Sequence, residues 1–194
     1  MFANRLYGRV LLTLTLLVIS ATYVHAQTSV TWFTNFYSVT GANFREIRQS
    51  IGTSRPWRDD FDGDTRWEVN WRFTTVQFAN GCTCSSYYTS VKITTTLPRW
   101  TPPADVLPEV KEQWTRYFTN LAQHELGHAR FGLAAAAEVE RRIASVGAQP
   151  DCAQLKQVIS ERANQAITEF RRREVEYDKN TNHGRRWGNT RRDQ

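Results

Sequence analysis

From Val110 to Val146 the chain keeps an apolar rhythm of threes and fours, and the pentapeptide His124-Glu125-Leu126-Gly127-His128 falls inside it. Val110, Trp114, Phe118, Leu121, Glu125, His128, Gly132, Ala135, Val139, Ile143 and Val146 share one face of the long helix this spacing predicts. Pro108 suits its first turn, where a missing N–H costs nothing, and Asp105 is the expected cap. Histidines four apart stack on one helix face, so both imidazoles can reach a single metal ion. Glu125 projects toward the same point, placed to take a proton from a water that the metal acidifies. A stripe that points inward makes buried charge costly unless it is partnered. The pattern therefore predicts a zinc site, with His124 and His128 as ligands and Glu125 as general base. Gly127, Ala129, Gly132 and Ala134 to Ala137 leave room for another segment or a substrate to approach. The competing readings are a chance match on a solvated face and a structural metal. The inward position opposes the first, and the shortage of cysteines opposes the second.

Gly147 and Pro150 end this helix, and Asp151 can cap a second one. Its stripe runs Cys152, Leu155, Ile159, Ala163, Ala166, Phe170 and Tyr177, and the helix is expected to end near Tyr177. A short link makes the two helices antiparallel, which returns residues 177 to 183 toward the histidine pair. A catalytic zinc takes three protein ligands and keeps one position open. His183 is the preferred third ligand, because Gly184 beside it permits a tight approach. Glu174 and Asp178, four apart on the second helix, are alternatives. Phe131 and Ala134 occupy the glycine and third-histidine positions of the longer metzincin pattern and exclude it. With His183 as ligand, Asp178 is expected to fix an imidazole tautomer, and Tyr177 to hydrogen-bond a developing oxyanion.

The first half reads as β-rich. Ser29 to Val39 suits a strand, and Asn43 caps a short helix reaching Ile51. Asp59 to Asp64 is a turn whose acids are out of register for a calcium loop. Trp67, Val69, Trp71 and Phe73 alternate with Glu68, Asn70 and Arg72, giving one buried and one wet face. After the turn at Asn80-Gly81, a second run from Tyr87 to Leu97 should pair with it antiparallel. The tryptophan row is read as a core face rather than a sugar platform. Leu97 to Pro103 should break the sheet. The fold class is α+β: a small antiparallel sheet, then a long zincin-type helix and an antiparallel partner.

Residues 1–26 carry the marks of a secretory signal. Arg5 and Arg9 precede an apolar run from Val10 to Ala21, and Val24-His25-Ala26 offers a cleavage pattern before Gln27. The remaining 168 residues suit one domain, 27–184, followed by a basic tail, 185–194. The net charge of +6 sits at the ends, leaving residues 27–170 neutral and giving no basic face for specific nucleic-acid binding. The arginines and Trp187 of the tail would suit an anionic surface, but a solvated tail is the preferred reading. Cys82, Cys84 and Cys152 remain after processing, which for an exported chain implies one disulfide and one thiol. Cys84–Cys152 is the favoured pair and Cys82 the alternative partner.

The chain resembles a bacterial family of uncharacterised domains described as predicted secreted zinc-dependent peptidases. The likeness rests on Tyr37-x-Val39-x-Gly41, Trp67-x-Val69-x-Trp71, Leu97-Pro98-x-Trp100, the H-E-L-G-H pentapeptide and Tyr177-Asp178-x-x-Thr181-x-His183-Gly184. It also implies cysteines near Cys84 and Cys152, from which Cys82 departs. The expected protein is a periplasmic or secreted metallopeptidase with one Zn2+ per chain. Its partner would be a protein or peptide substrate, and its mature chain would hold no membrane span. The alternative is a non-catalytic, zinc-stabilised module that binds envelope components.

Overall fold

The computed structural model describes residues 25–184, so the predicted signal as far as residue 24 and the tail 185–194 lie outside the described residues. Six elements follow in order: β1 (His25–Val39), α1 (Phe44–Ser54), β2 (Asp64–Phe78), β3 (Gly81–Trp100), α2 (Pro108–Ala144) and α3 (Cys152–Thr181). β2 and β3 form the expected antiparallel hairpin, with Trp67 opposite Ile93 and Val69 opposite Val91. β1 adds to the other side of β3 in parallel, from His25 beside Ser86 to Val39 beside Trp100. The sheet order is therefore β1-β3-β2, and the sheet is mixed. α1 and the loop after it carry the chain across the place β3 will fill, which makes the parallel arrangement possible.

β3 runs on through Pro98, past the break expected at Leu97. Pairing with β2 stops where Asp64 meets Thr96, so at Pro98 the strand has a neighbour on one side only. A proline is tolerated where no ladder bond is required. A bulge between Thr74 and Thr75 resets the pleat, which lets Cys82 and Cys84 share the buried side with Val91 and Ile93.

The core lies between this face and the two long helices. Trp67, Val69, Val91 and Ile93 pack against Ala129, Ala135, Val139 and Ile143 of α2 and Leu155, Ile159, Ala163 and Phe170 of α3. The Trp row is thus a core face. Gly132 is what allows α2 so close, since a Cβ there would lie 2.6 Å from Cβ of Trp67. A second cluster of Tyr37, Val39, Ile47, Ile51, Trp100, Val106 and Val110 fixes α1 and the start of α2.

The N-terminal caps of the helices follow the sequence with one exception. Asn43 caps α1 through the Glu46 amide at 3.1 Å, and Asp151 caps α3 through the Gln154 amide at 2.8 Å. The cap of α2 is Leu107 rather than Asp105, with no side-chain bond and Pro108 in the first turn. α2 and α3 run antiparallel: His124 faces Asp178, His128 faces Glu174 and Arg142 faces Glu169. Among the described residues, no helix is long and apolar enough to cross a membrane.

The disulfide joins Cys82 to Cys152 across a Cα separation of 5.0 Å, which corrects the expected Cys84–Cys152 pair. The reason lies in the α2–α3 link. Gln149 pairs with Cys82 as an isolated bridge, with reciprocal bonds of 2.8 and 2.9 Å, and so brings Cys152 to the first of the two cysteines. Cys84, one pleat further along, is a buried free thiol whose Sγ faces the Ser86 carbonyl at 3.4 Å.

Candidate metal centre

His124 and His128 lie on the buried face of α2, at 3 % and 8 % exposure, as their place in the apolar stripe requires. α3 faces them with a matching pair of carboxylates one turn apart. The Nε2 atoms of the two histidines are 3.1 Å apart. Asp178 Oδ1 sits 3.2 Å from Nε2 of His124 and 3.0 Å from Nε2 of His128. Two ring nitrogens and a carboxylate oxygen therefore form a nearly regular triangle. Atoms of this kind repel one another unless a proton or a cation lies among them. Ligands about 2.0–2.1 Å from a tetrahedral ion are separated by roughly 3.3 Å, so the triangle has the dimensions of one tetrahedral face. Among the described residues this set is compatible with metal binding.

Each imidazole is gripped from behind through its other nitrogen. Nδ1 of His128 meets Glu174 Oε1 at 3.1 Å, and Trp67 Nε1 donates to the same oxygen at 2.9 Å. Arg171 holds the second oxygen of Glu174 at 3.1 Å and lays its guanidinium 3.5 Å from the Trp67 ring centre. Nδ1 of His124 faces the Thr181 hydroxyl at 3.4 Å, and that hydroxyl donates to the Tyr177 carbonyl at 2.8 Å. When the rings are neutral, such partners direct the Nε2 lone pairs into the triangle.

The electrostatics agree with the geometry. Burial alone lowers the pKa of His128, but hydrogen bonds to Asp178 and Glu174 carry it up to about 10. Burial raises that of Asp178, yet hydrogen bonds from His124 and His128 hold it far below the usual carboxylate range. The triangle demands positive charge. Glu125, 3 % exposed, is pushed the other way: burial raises its pKa, and the Thr65 hydroxyl and both histidines only partly offset this. Its Oε2 is buried without a hydrogen-bond partner. A cleft of about 680 Å3 opens onto this carboxylate, the triangle, the loop at Asp60–Asp64 and the first residues of β2.

That loop is a built rim. The Asp62 carboxylate accepts from Tyr117 at 2.7 Å and also pairs with Arg48, while its carbonyl accepts from Tyr37 at 2.6 Å. Arg55 holds Asp60 at 2.9 Å and Arg66 holds Asp64 at 2.8 Å. The acids are thus tied to separate partners, in keeping with a plain turn rather than a calcium loop.

The structure brings together three of the predicted residues as expected, namely His124, His128 and Glu125, and places the other three differently. His183 is not at a corner of the triangle. Its Nδ1 is 3.6 Å from Asp178 Oδ1, and its ring rests against Phe61 at 4.7 Å. α3 stays helical as far as Thr181, which keeps Asp178 on the face toward α2 and leaves His183 beyond the left-handed turn at Asn182. Asp178 accordingly takes the corner instead of steadying an imidazole from behind. Tyr177 turns its hydroxyl to the His124 carbonyl at 3.3 Å and stacks its ring on His124 at 5.1 Å, away from the cleft lining. It lies on Gly127, where no side chain would fit. Thr181 and Trp67 were missed as partners of the site. Thr181, three residues after Asp178, carried the signal for the first.

An α+β frame in which two antiparallel helices present a His–His–Asp set is the class that fold and site define. The chain belongs to a bacterial protein family of unknown function, DUF922, which matches residues 34–184. No curated protein and no solved structure matches it.

Proposed function

We propose that the protein is an exported zinc-dependent metallopeptidase acting on protein or peptide substrates, with one zinc held by His124, His128 and Asp178. The observation that carries this reading is the buried Glu125 side chain beside the triangle, in the lining of the cleft, with its Oε2 left without a hydrogen-bond partner. A structural metal gives no reason to leave a carboxylate oxygen desolvated and unpaired next to it. Zinc bound there supplies Lewis-acid polarisation of a carbonyl and acidification of water. Glu125 takes the proton of the attacking water as its oxygen bonds to the carbonyl carbon. It then passes that proton to the amide nitrogen as the C–N bond breaks. Burial, by raising the pKa of Glu125, makes it a stronger base for the first step. Glu174 and Thr181 hold the two rings in place throughout. The disulfide accords with a periplasmic or extracellular setting.

One observation favours a non-catalytic, zinc-stabilised module instead: the triangle ties α2 to α3, as a structural metal would. Glu125→Gln separates the two. A peptidase loses hydrolysis of a quenched-fluorescence peptide library by 10^3-fold or more, on the order expected for a lost general base and its proton relay, while keeping its zinc. Hydrolysis unchanged in that variant would remove Glu125 from the chemistry.

A further inference from the structure

We propose that Glu174 is a positioning residue: it fixes the tautomer and tilt of His128 and thereby sets how tightly the triangle holds its metal. The inference rests on the metal reading above. Glu174 Oε1 meets Nδ1, the His128 nitrogen that faces away from the triangle, so Glu174 stands behind the ring and is not itself a corner. A carboxylate there can only accept, so Nδ1 carries the hydrogen and Nε2 presents its lone pair.

Glu174 is itself immobilised. Trp67 Nε1 donates to one oxygen at 2.9 Å and Arg171 to the other at 3.1 Å. Arg171 in turn stacks on the Trp67 ring and donates to its carbonyl, so the assembly is anchored in β2. The side chain is only 12 % exposed, and each of its oxygens has a fixed donor. Among the described residues, no comparable support stands behind the other ring. His124 has a neutral hydroxyl at 3.4 Å, at the long limit of a hydrogen bond. The two imidazoles are therefore unequal: His128 is backed by a held negative charge, and His124 by an uncharged contact. A negative partner strengthens the lone pair it backs. His128 is the stronger donor, and Glu174 is the reason.

α3 serves the metal at two depths with one side of one turn. Asp178 supplies a corner and Glu174, four residues earlier, steadies the ring opposite. The spacing mirrors that of His124 and His128 on α2.

Zinc titration of the full chain tests this, with wild type, Glu174→Gln, Glu174→Asp and Thr181→Val compared by competition against a chelator. Glu174→Gln should weaken zinc binding about 10–100-fold, and Thr181→Val should weaken it less. Glu174→Asp, which restores the charge on a shorter arm, should recover part of the loss. The visible absorption of the cobalt-loaded protein should shift in Glu174→Gln, because ring tilt alters the field at the ion. A merely structural role would leave that spectrum unmoved while lowering the melting temperature of the metal-free chain. Wild-type affinity and spectrum in Glu174→Gln would overturn the proposal and leave the metal reading intact. Failure of the wild type itself to bind zinc or cobalt would overturn both.

Discussion

Gly63 lies directly on Glu125: a Cβ built at the glycine would fall 2.7 Å from Glu125 Oε1. The rim loop thus presses the carboxylate into its place beside the histidines. Its own position is locked by Tyr37, Tyr117 and Arg48 around Asp62. Gly63→Ala should push the carboxylate aside without touching the triangle. Turnover should fall about 10^2-fold, the usual effect of an ångström-scale displacement, with zinc content unchanged. Full activity in this variant would show that Glu125 tolerates displacement and that the loop does not place it.

Zinc has to compete with a proton. Metal-free His128 titrates at about 10, so near neutral pH its ring is charged, whereas a metal ligand must be neutral. Below that pKa each rise of one pH unit should strengthen zinc binding, approaching tenfold, and the gain should fade as pH nears 10. Calorimetry in buffers of different ionisation heat should show about one proton released per zinc. A binding heat independent of the buffer would contradict this.

The rim should fail in alkali. Burial, reinforced by the Asp62 charge, raises the pKa of both Tyr37 and Tyr117 well above the usual tyrosine value. Above about pH 10 the unfolded chain loses these protons while the folded chain keeps them. Stability present below that pH is then lost as pH rises, at about 1.4 kcal/mol per unit for each tyrosine. Denaturant melts above pH 10 should show this slope, and Tyr37→Phe with Tyr117→Phe should flatten it. An equal slope in the double variant would assign alkaline loss to other groups.

Cys82–Cys152 closes a long loop, with 70 positions separating its ends. Replacing both cysteines with serine should cost about 2–4 kcal/mol in unfolding experiments. Cys84→Ser should cost far less, because that thiol has no covalent partner. A large loss in Cys84→Ser alone would point to exchange between the two pairings.

What the sequence revealed was local. The stripe of α2, the placement of His124, Glu125 and His128 on it, the β2–β3 alternation and the Asn43 and Asp151 caps all depend on neighbours within a few residues. What it hid depended on distance. One extra turn at the end of α3, Asp178 to Thr181, decides whether Asp178 or His183 reaches the triangle, and helix ends are the least defined part of a periodic pattern. The parallel docking of β1 has no local signature, because it is set by where α1 leaves the chain. Choice between Cys82 and Cys84 is made by Gln149, a residue with no chemical claim on either.

The α2–α3 pair resembles forceps. At the root, the cystine and the Gln149 bridge fasten the bend to β3. At the tips, His124 and His128 oppose Asp178 with nothing covalent between them. An ion arriving there would meet arms whose hinge is already set, so loading would require no rearrangement of the sheet and could follow folding.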